Sequence, residues 1–267
     1  MAIRKIPVPQ ALTAGLAVSS GVMVLAFIVL PLWQMVTSPS LASLWETIRD
    51  PEVLDSILLS LGTSLGAAAV CLVLGTPLAY LLARRNFRGK RLVESVIDLP
   101  IMIPHPVVGI ALLTLAGRGH VIGDLLQGLG VQIMGTVTGI VTVCVYVGLP
   151  FFLNTAKAGF EGVPPRMEKV SRSLGASPGA TFFRITLPLA WRHMLAGAIM
   201  AAGRAVSEFG AIVIVAYHPR IAPVLMYERF TSYGLKYSQP VAVWLILLCL
   251  GLFLLLRLLS LPRRAEA

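Results

Sequence analysis

Six apolar segments, each long enough to cross a membrane, are the strongest constraint on the fold of this 267-residue chain. A helix needs about 20 mostly apolar residues to cross the hydrocarbon core of a bilayer. The segments are residues 12–35, 57–83, 96–116, 133–153, 194–217 and 241–259. The chain is 57% hydrophobic and only 13% charged, which excludes a soluble domain of this length. We therefore predict an all-α, polytopic membrane protein with about six transmembrane helices, in a single domain spanning residues 1–267.

Basic residues are divided unevenly between the two sides of this predicted protein. Cytoplasmic loops of membrane proteins carry an excess of Lys and Arg. Of the 22 such residues, sixteen lie at the two ends of the chain, after the second segment and between the fourth and fifth, and five lie on the opposite side. Both termini and the loop of residues 157–191 are therefore predicted to face the cytoplasm.

The loop between the fourth and fifth segments has the local signals of two short helices joined by a tight turn. Pro164 and Pro165 suit the first turn of a helix, and Gly175 suits the left-handed residue that follows its end. Ser177 followed by Pro178 is typical of a second helix start, and we expect this helix to end at Pro188. The loop thus predicts a compact helical pair.

The first helix of this pair has two different faces. Apolar side chains fall together at helical spacing: Met167, Val170 and Leu174. Basic side chains recur every three residues on another face: Arg166, Lys169 and Arg172. One face can dock on protein or lipid, and the other can meet acidic groups.

The loop resembles the signature of the permease subunits of ABC importers. That signature is an EAA triplet, a Gly after three further residues, and an Ile-x-Leu-Pro sequence that begins ten residues after the Gly. Four residues of this chain stand at those spacings: Gly175, Ile185, Leu187 and Pro188. The chain departs from the signature at the triplet, where Lys169 takes the place of the acid and Glu168 lies one residue earlier.

Residues 99–109 and 204–244 look like the molybdate/tungstate group of these permeases, within a similarity that extends from about Gly75 onward. The resemblance implies the permease of an ATP-driven importer that carries molybdate or tungstate into the cytoplasm, in the plasma (inner) membrane of a prokaryote. It also implies a homodimer, two cytosolic ABC ATPase subunits and an extracytoplasmic oxyanion-binding protein. Sulfate permeases are close relatives, so a permease for sulfate or another oxyanion is the alternative.

The resemblance implies that the cytoplasmic loop couples this chain to the ATPase. The residues that it places there are Glu168, Lys169, Arg172, Gly175, Ala176, Ser177, Ile185, Leu187 and Pro188. The chain has no G-x-x-x-x-G-K-[ST] phosphate-binding loop, so we expect no enzymatic activity and ATP hydrolysis on a separate subunit. No cofactor is expected, and no nucleic-acid-binding motif accompanies the basic residues.

Two charged residues, Arg204 and Glu208, lie near the middle of the fifth segment. Residues four apart share one helix face, and charges inside a membrane usually face the bundle interior or a water-filled cavity. A translocation path or gate and a structural ion pair both fit this placement. Gly203, Ser207 and Gly210 form an adjacent small-residue face, which another helix, such as that of a second copy, can approach closely.

The third segment contains Pro100, Pro104 and Pro106, which predict a kinked or broken helix because proline removes a backbone donor. His105 lies within this stretch and can be a structural histidine or one that meets the substrate. The candidate path or gate residues are Pro104, His105, Arg204, Ser207 and Glu208.

The segment of residues 218–239 mixes aromatic and charged side chains on the predicted extracytoplasmic side. Such a mixture suits a transient interface with the binding protein, or an aromatic belt at the membrane surface. Two other classes of function fit the sequence less well. A secondary transporter should show inverted repeats with paired broken helices, and only the third segment is interrupted by prolines. A membrane-embedded enzyme should cluster its His, Asp and Glu residues, but the four histidines are scattered.

Overall fold

The computed structural model describes residues 10–117 and 119–260, and all regular structure in this part of the chain is helical, as predicted. The α-helices are α1 (Gln10–Thr37), α2 (Leu41–Arg49), α3 (Pro51–Arg84), α4 (Lys90–Met102), α5 (His105–Ala116), α6 (Val121–Gly128), α7 (Val137–Gly162), α8 (Pro165–Ser173), α9 (Pro178–Thr181), α10 (Leu187–Val206), α11 (Ile212–Val215), α12 (Ala222–Tyr233) and α13 (Leu235–Ser260). A π-helical turn, Phe182–Thr186, joins α9 to α10. Several charges used to predict the orientation lie outside the described residues: Arg4, Lys5, Arg118, Arg263 and Arg264.

Four helices are long and apolar enough to cross a membrane: α1 from Ala17, α3, α7, and the continuous helix Pro178–Val206. The pair α4 and α5 adds a fifth span if it is one broken helix, since the two halves meet at 113°. In α13 the stretch Leu235–Gly251 is a shorter apolar helix. The protein is therefore an all-helical polytopic membrane protein with four or five candidate spans among its described residues, and the predicted sixth stays a prediction.

The third predicted span is broken, as its prolines indicated. Ile103 and Pro104 are both extended, with ψ of 134° and 133°, and Pro106 lies in the first turn of α5. A proline disfavours helical geometry in the residue before it, so Pro104 ends α4 at Met102. Pro100 is accommodated inside α4. The break leaves Pro104 and His105 at the N-terminal end of α5.

The fifth predicted span differs from its expected bounds at both ends. Its helix begins at Pro178, and the prediction that a separate helix ends at Pro188 is wrong. Pro188 cannot donate to the carbonyl four residues back, and the π-helical turn just before it widens the helix, with the Leu187 N–H donating to Phe182 O. The helix then stops at Val206, eleven residues before the predicted end at 217.

The core of the protein is formed by α3, α7 and α10, with α7 packed against both of the others. Glycines bring these helices close together. A Cβ atom at Gly75 of α3 would lie 2.6 Å from a Phe152 ring carbon of α7, and one at Gly197 of α10 would lie 3.0 Å from Phe152 O. Phe152 itself is fully buried. The membrane-spanning part of α1, in contrast, has none of its apolar stretch buried within this chain.

Candidate functional site

The helical pair of α8 and α9 forms through the local signals that predicted it. Pro165 occupies the first turn of α8, whereas Pro164 is extended and lies just before it as the N-cap residue. Gly175 has the left-handed φ of +90° after the helix ends. The Ala176 N–H then donates to Ser171 O at 3.2 Å, which closes the turn. Ser177 caps α9 by accepting a hydrogen bond of 3.2 Å from the Ala180 N–H. These local predictions are confirmed.

An open apolar cleft of about 570 Å³ lies between α8 and the π-helical turn. Met167, Val170 and Leu174 line it from α8, and Leu174 is 82% exposed. Ala176 and Ile185 line its other parts, and Arg166 and Arg184 lie at the same cleft. The cleft is therefore an apolar surface with cations beside it.

The remaining predicted coupling residues divide between the surface and the interior. Lys169, Arg172, Ser177 and Pro188 are exposed, and Leu187 is half-buried. Glu168 points inward, and its carboxylate Oε1 accepts a hydrogen bond of 2.9 Å from Arg84 Nε at the end of α3. The spacing of the sequence did not predict this contact, because Arg84 lies 84 residues earlier in the chain.

Arg204 and Glu208 are paired, with Arg204 Nη2 at 2.6 Å from Glu208 Oε2. Glu208 is fully buried, whereas the Arg204 side chain is 19% exposed. His105 completes the cluster, since its Nδ1 lies 2.5 Å from the same Glu208 oxygen. The other Glu208 oxygen accepts the Ala211 N–H at 3.0 Å. A buried carboxylate is costly unless it is paired and hydrogen-bonded, and here both conditions are met.

Two breaks in the helices bring this cluster together. α10 ends before Ser207, and the Glu208 carboxylate satisfies the backbone of the short segment that follows. α5 begins at His105, directly after the break at Pro104. The His105 side chain is 42% exposed, and Pro104 and Ser207 are exposed beside it. All five predicted path residues therefore meet at one place, which combines a buried anion with an accessible cation and imidazole.

The predicted small-residue face is only partly available to another helix. A Cβ atom at Gly210 would lie 3.0 Å from His105 Cβ, so Gly210 packs against α5 of its own chain. Gly203 has open space, with nothing within 4 Å of such an atom, and Ser207 is exposed. The predicted close approach of another helix is therefore confirmed at Gly210, but that helix is α5 of the same chain, and a second copy cannot occupy that space.

The charges of the segment 218–239 are largely paired inside the chain. Arg229 lies 2.6 Å from Asp50, and Arg220 lies 2.7 Å from Glu52 and 2.8 Å from Glu228. Burial alone would raise the pKa of Asp50, but the Arg229 hydrogen bond and the Glu52 N–H outweigh it and hold that pKa below its ordinary value. This network ties α12 to the start of α3. The aromatic side chains remain exposed, as at Tyr233, which is 68% accessible.

Comparison with known proteins gives a consistent result. Residues 73–261 match the family model described as "Binding-protein-dependent transport system inner membrane component". The molybdate/tungstate transport system permease protein of Pyrococcus abyssi is 42% identical over 92% of this chain and 94% of its own length. The corresponding protein of Pyrococcus furiosus is 43% identical over 89% and 91%. The sulfate transport system permease protein of Synechococcus elongatus is 34% identical over 80% and 78%.

A solved structure matches nearly the whole fold. The crystal structure of a bacterial ABC transporter for import of the acidic polysaccharide alginate contains a chain that superposes with a TM-score of 0.74, over 97% of both chains. The two sequences are 16% identical. At that identity the likeness concerns the arrangement of helices alone.

Proposed function

Since the chain belongs to the family of binding-protein-dependent transport system inner membrane components, we propose that it is the permease of an ATP-driven importer that carries molybdate or tungstate into the cytoplasm. The observation that carries the substrate class is the 42–43% identity to two molybdate/tungstate permeases over about nine-tenths of the chain. The protein is a membrane subunit, and ATP is hydrolysed on a separate subunit.

Sulfate is the second candidate substrate. The sulfate relative is 34% identical and covers 80% of the chain, less on both measures than the molybdate/tungstate relatives. Molybdate, tungstate and sulfate are all tetrahedral dianions, so the same path can carry each of them. We expect the choice among them to be made mainly by the binding protein.

The topology that we propose has six spans in an inner membrane, with α13 as the sixth and both termini in the cytoplasm. In this arrangement α1, α3, the α4–α5 pair, α7, the helix Pro178–Val206 and α13 each cross once. The position of α13 favours this count, because it packs against α10 and α12. The cytoplasmic helical pair then lies on the side where ATP is available.

The cleft beside α8 is the surface that we propose for the ATPase subunit. Leu174 and Val170 expose apolar area that nothing in the described chain covers, and exposed apolar patches on this scale mark interaction sites. Arg166 and Arg184 at the cleft and the exposed Lys169 and Arg172 favour a partner with an apolar groove and an acidic margin. We expect two ATPase subunits to bind a homodimer of this chain.

The path that we propose runs past the Arg204, His105 and Glu208 cluster, between two copies of the chain. Gly203 near the end of α10 and Ser207 directly after it are both exposed, so this face is open toward the proposed second copy. On the extracytoplasmic side, the exposed aromatic residues of α12, with Tyr227 at 49% and Phe230 at 51%, are the surface offered to the binding protein. The charges nearby serve the chain's own folding, because they are paired within it.

The function is tested in proteoliposomes that contain this chain with its ATPase subunit, and with binding protein and ATP on their proper sides. We expect uptake of molybdate and tungstate that requires ATP and the ATPase subunit, with less uptake of sulfate. Uptake driven by an ion gradient in the absence of the ATPase would contradict the proposal. Equal or greater uptake of sulfate would assign the chain to the second candidate.

The docking surface is tested in the assembled complex by cysteine cross-linking. Cysteine at Arg172 or Ala176 should cross-link to the ATPase subunit. Cysteine at Val121, which is 87% exposed at the start of α6, is the matched control and should not. A scan of the helical pair that yields no cross-link would remove the docking surface from the proposal.

A further inference from the structure

The carboxylate of Glu168 receives donors from three residues in two other elements of the protein. Its Oε1 atom accepts hydrogen bonds from Arg84 Nε at 2.9 Å and from Thr186 Oγ1 at 2.9 Å, and lies 2.8 Å from Arg84 Nη2. Its Oε2 atom lies 3.4 Å from the Tyr80 hydroxyl. The Glu168 side chain is 15% exposed and that of Arg84 is 13% exposed. This acid is therefore engaged inside the chain and turned away from the exposed face of α8.

The donors belong to the cytoplasmic ends of the main helices. Arg84 is the last residue of α3, and Tyr80 lies one turn before it. Thr186 is the last residue of the π-helical turn that leads into α10, and it is fully buried. Arg84 Nη2 also donates to Val163 O at 2.9 Å, which is the residue that follows α7. One ion pair thus connects α8 with α3, α7 and α10.

The chemistry of the contact makes it stiff. The planar guanidinium of arginine presents its donors in a fixed fork, and hydrogen bonds between ionised partners are about twice as strong as neutral ones. Because both side chains are mostly shielded from water, screening by salt is weak. A displacement of α8 away from α3 would have to break several of these bonds together.

We propose that Glu168 and Arg84 are positioning residues that fix α8 to the ends of α3 and α10, so that movement of the docked ATPase is transmitted to both helices. Without this clamp, defined as the contacts of Glu168 with Arg84 and Thr186, the movement is absorbed in the turn around Gly175. Glu168 then acts on α3 and α10 within its own chain and makes no contact with the ATPase. This inference rests on the proposed docking of the ATPase at the cleft.

The helical pair has other supports that allow the clamp to be removed without unfolding it. Phe182, the first residue of the π-helical turn, packs edge-on against the Tyr80 ring at a centroid distance of 4.9 Å. The Ser171 and Thr181 hydroxyls lie 3.0 Å apart and join α8 to α9. Variants at Glu168 should therefore keep the pair folded and able to dock.

The test compares Glu168→Gln, Arg84→Gln and the double variant in the full transporter complex reconstituted with loaded binding protein. We expect each single variant to assemble and hydrolyse ATP while the molybdate moved per ATP falls about fivefold or more, the scale of coupling between distant sites. Because both residues act through one clamp, the double variant should lose no more than the worse single variant. A merely structural defect would lower assembly, ATP hydrolysis and uptake together.

Matched controls are Arg85→Gln, beside Arg84 at the end of α3, and Glu161→Gln, an acid near the end of α7 that is 49% exposed. Both should leave the molybdate moved per ATP within about twofold of the unsubstituted protein. Equal losses in the controls would overturn the proposal, because they would reflect charge alone.

Three further results would also overturn the clamp. They are loss of the ATPase subunit from the Glu168→Gln complex, losses that multiply in the double variant, and a molybdate-to-ATP ratio unchanged in both single variants. A failure of the proposed function looks different, since the unsubstituted complex itself would show no ATP-driven uptake. The clamp is then tested by thermal melting of the permease. A melting shift in the double variant that differs from the sum of the two single-variant shifts supports the clamp, and a shift equal to that sum refutes it.

Discussion

Single substitutions of Arg204 and Glu208 test how the buried charge of Glu208 is balanced. In Arg204→Met, the fully buried Glu208 loses its partner at 2.6 Å and keeps His105 Nδ1 and the Ala211 N–H. Breaking a buried pair costs 3–5 kcal/mol, and the two remaining donors place this variant near the lower value, about 3 kcal/mol. In Glu208→Gln the remaining arginine is 19% exposed and partly solvated, so the cost is about 1.5–3 kcal/mol.

The double variant should recover most of this stability, because it leaves no uncompensated charge in the interior. The remaining His105 is 42% exposed and can be hydrated. Melting of the purified permease measures the effect. If each kcal/mol shifts the midpoint by about 2–4 °C, Arg204→Met should melt about 6–12 °C below the unsubstituted protein. Arg192→Gln, which removes an exposed arginine from the same helix, is the control.

Uptake by the double variant then separates the two roles that the sequence left open. Normal assembly with lost uptake would assign the cluster to the path or gate, whereas normal uptake would make it structural. Two single variants that both melt at the temperature of the unsubstituted protein would refute the reasoning, since a dry, paired carboxylate cannot lose its partner without cost.

Three further predictions concern other parts of the structure. Gly175→Val should lower uptake more than expression, because a β-branched residue at φ +90° is strained and tilts the turn between α8 and α9. Gly210→Ala should destabilise the permease by about 1–3 kcal/mol in thermal melting, because the new Cβ would lie 3.0 Å from His105 Cβ. Stability should be steady at neutral pH and fall as the pH drops through the folded pKa of Asp50, which lies below its ordinary 3.8, and Arg229→Gln should shrink this loss in a melting series across pH.

Each of these has a control or a result that would count against it. Gly179→Val, in the same helical pair but without a positive φ, is the control for Gly175→Val and should leave uptake nearly unchanged. Gly203→Ala, which has open space around the new Cβ, is the control for Gly210→Ala and should leave the melting temperature nearly unchanged. Equal effects within either pair would mean that backbone strain or crowding is not the cause. An acid transition that is identical with and without Arg229 would show that its pairing with Asp50 contributes nothing.

The sequence predicted most accurately what is determined by neighbouring residues. The turn at Gly175, the cap at Ser177 and the break at Pro104 follow from backbone geometry that glycine, serine and proline impose locally. The pairing of Arg204 with Glu208 is also predictable from the sequence, because residues four apart on a helix lie on the same face.

What sequence reasoning missed depends on contacts across the fold. His105 lies 103 residues from Glu208, and Arg84 lies 84 residues from Glu168, so no periodicity connects them. The end of the helix at Val206 was missed because the residues after it are as apolar as those before. The sequence predicts a helix end at Pro188, because the π-helical turn that accommodates this proline leaves no signature in the sequence.

That π-helical turn sets a phase between the two parts of one long helix. It holds an additional residue relative to a regular α-helix, and each residue of an α-helix turns the following ones by about 100° and advances them by about 1.5 Å. Because the widened turn takes up this residue, deleting one residue within Phe182–Thr186 would restore regular winding and leave the residues after it, Arg204 included, near their present orientation relative to α8. Regular winding at the present length would instead swing them by about that angle. The direction in which α10 presents its charges thus depends on the wide winding of a five-residue segment some 20 residues away, and a substitution that forces this segment into regular α-helix would disturb that direction more than a deletion of one residue would.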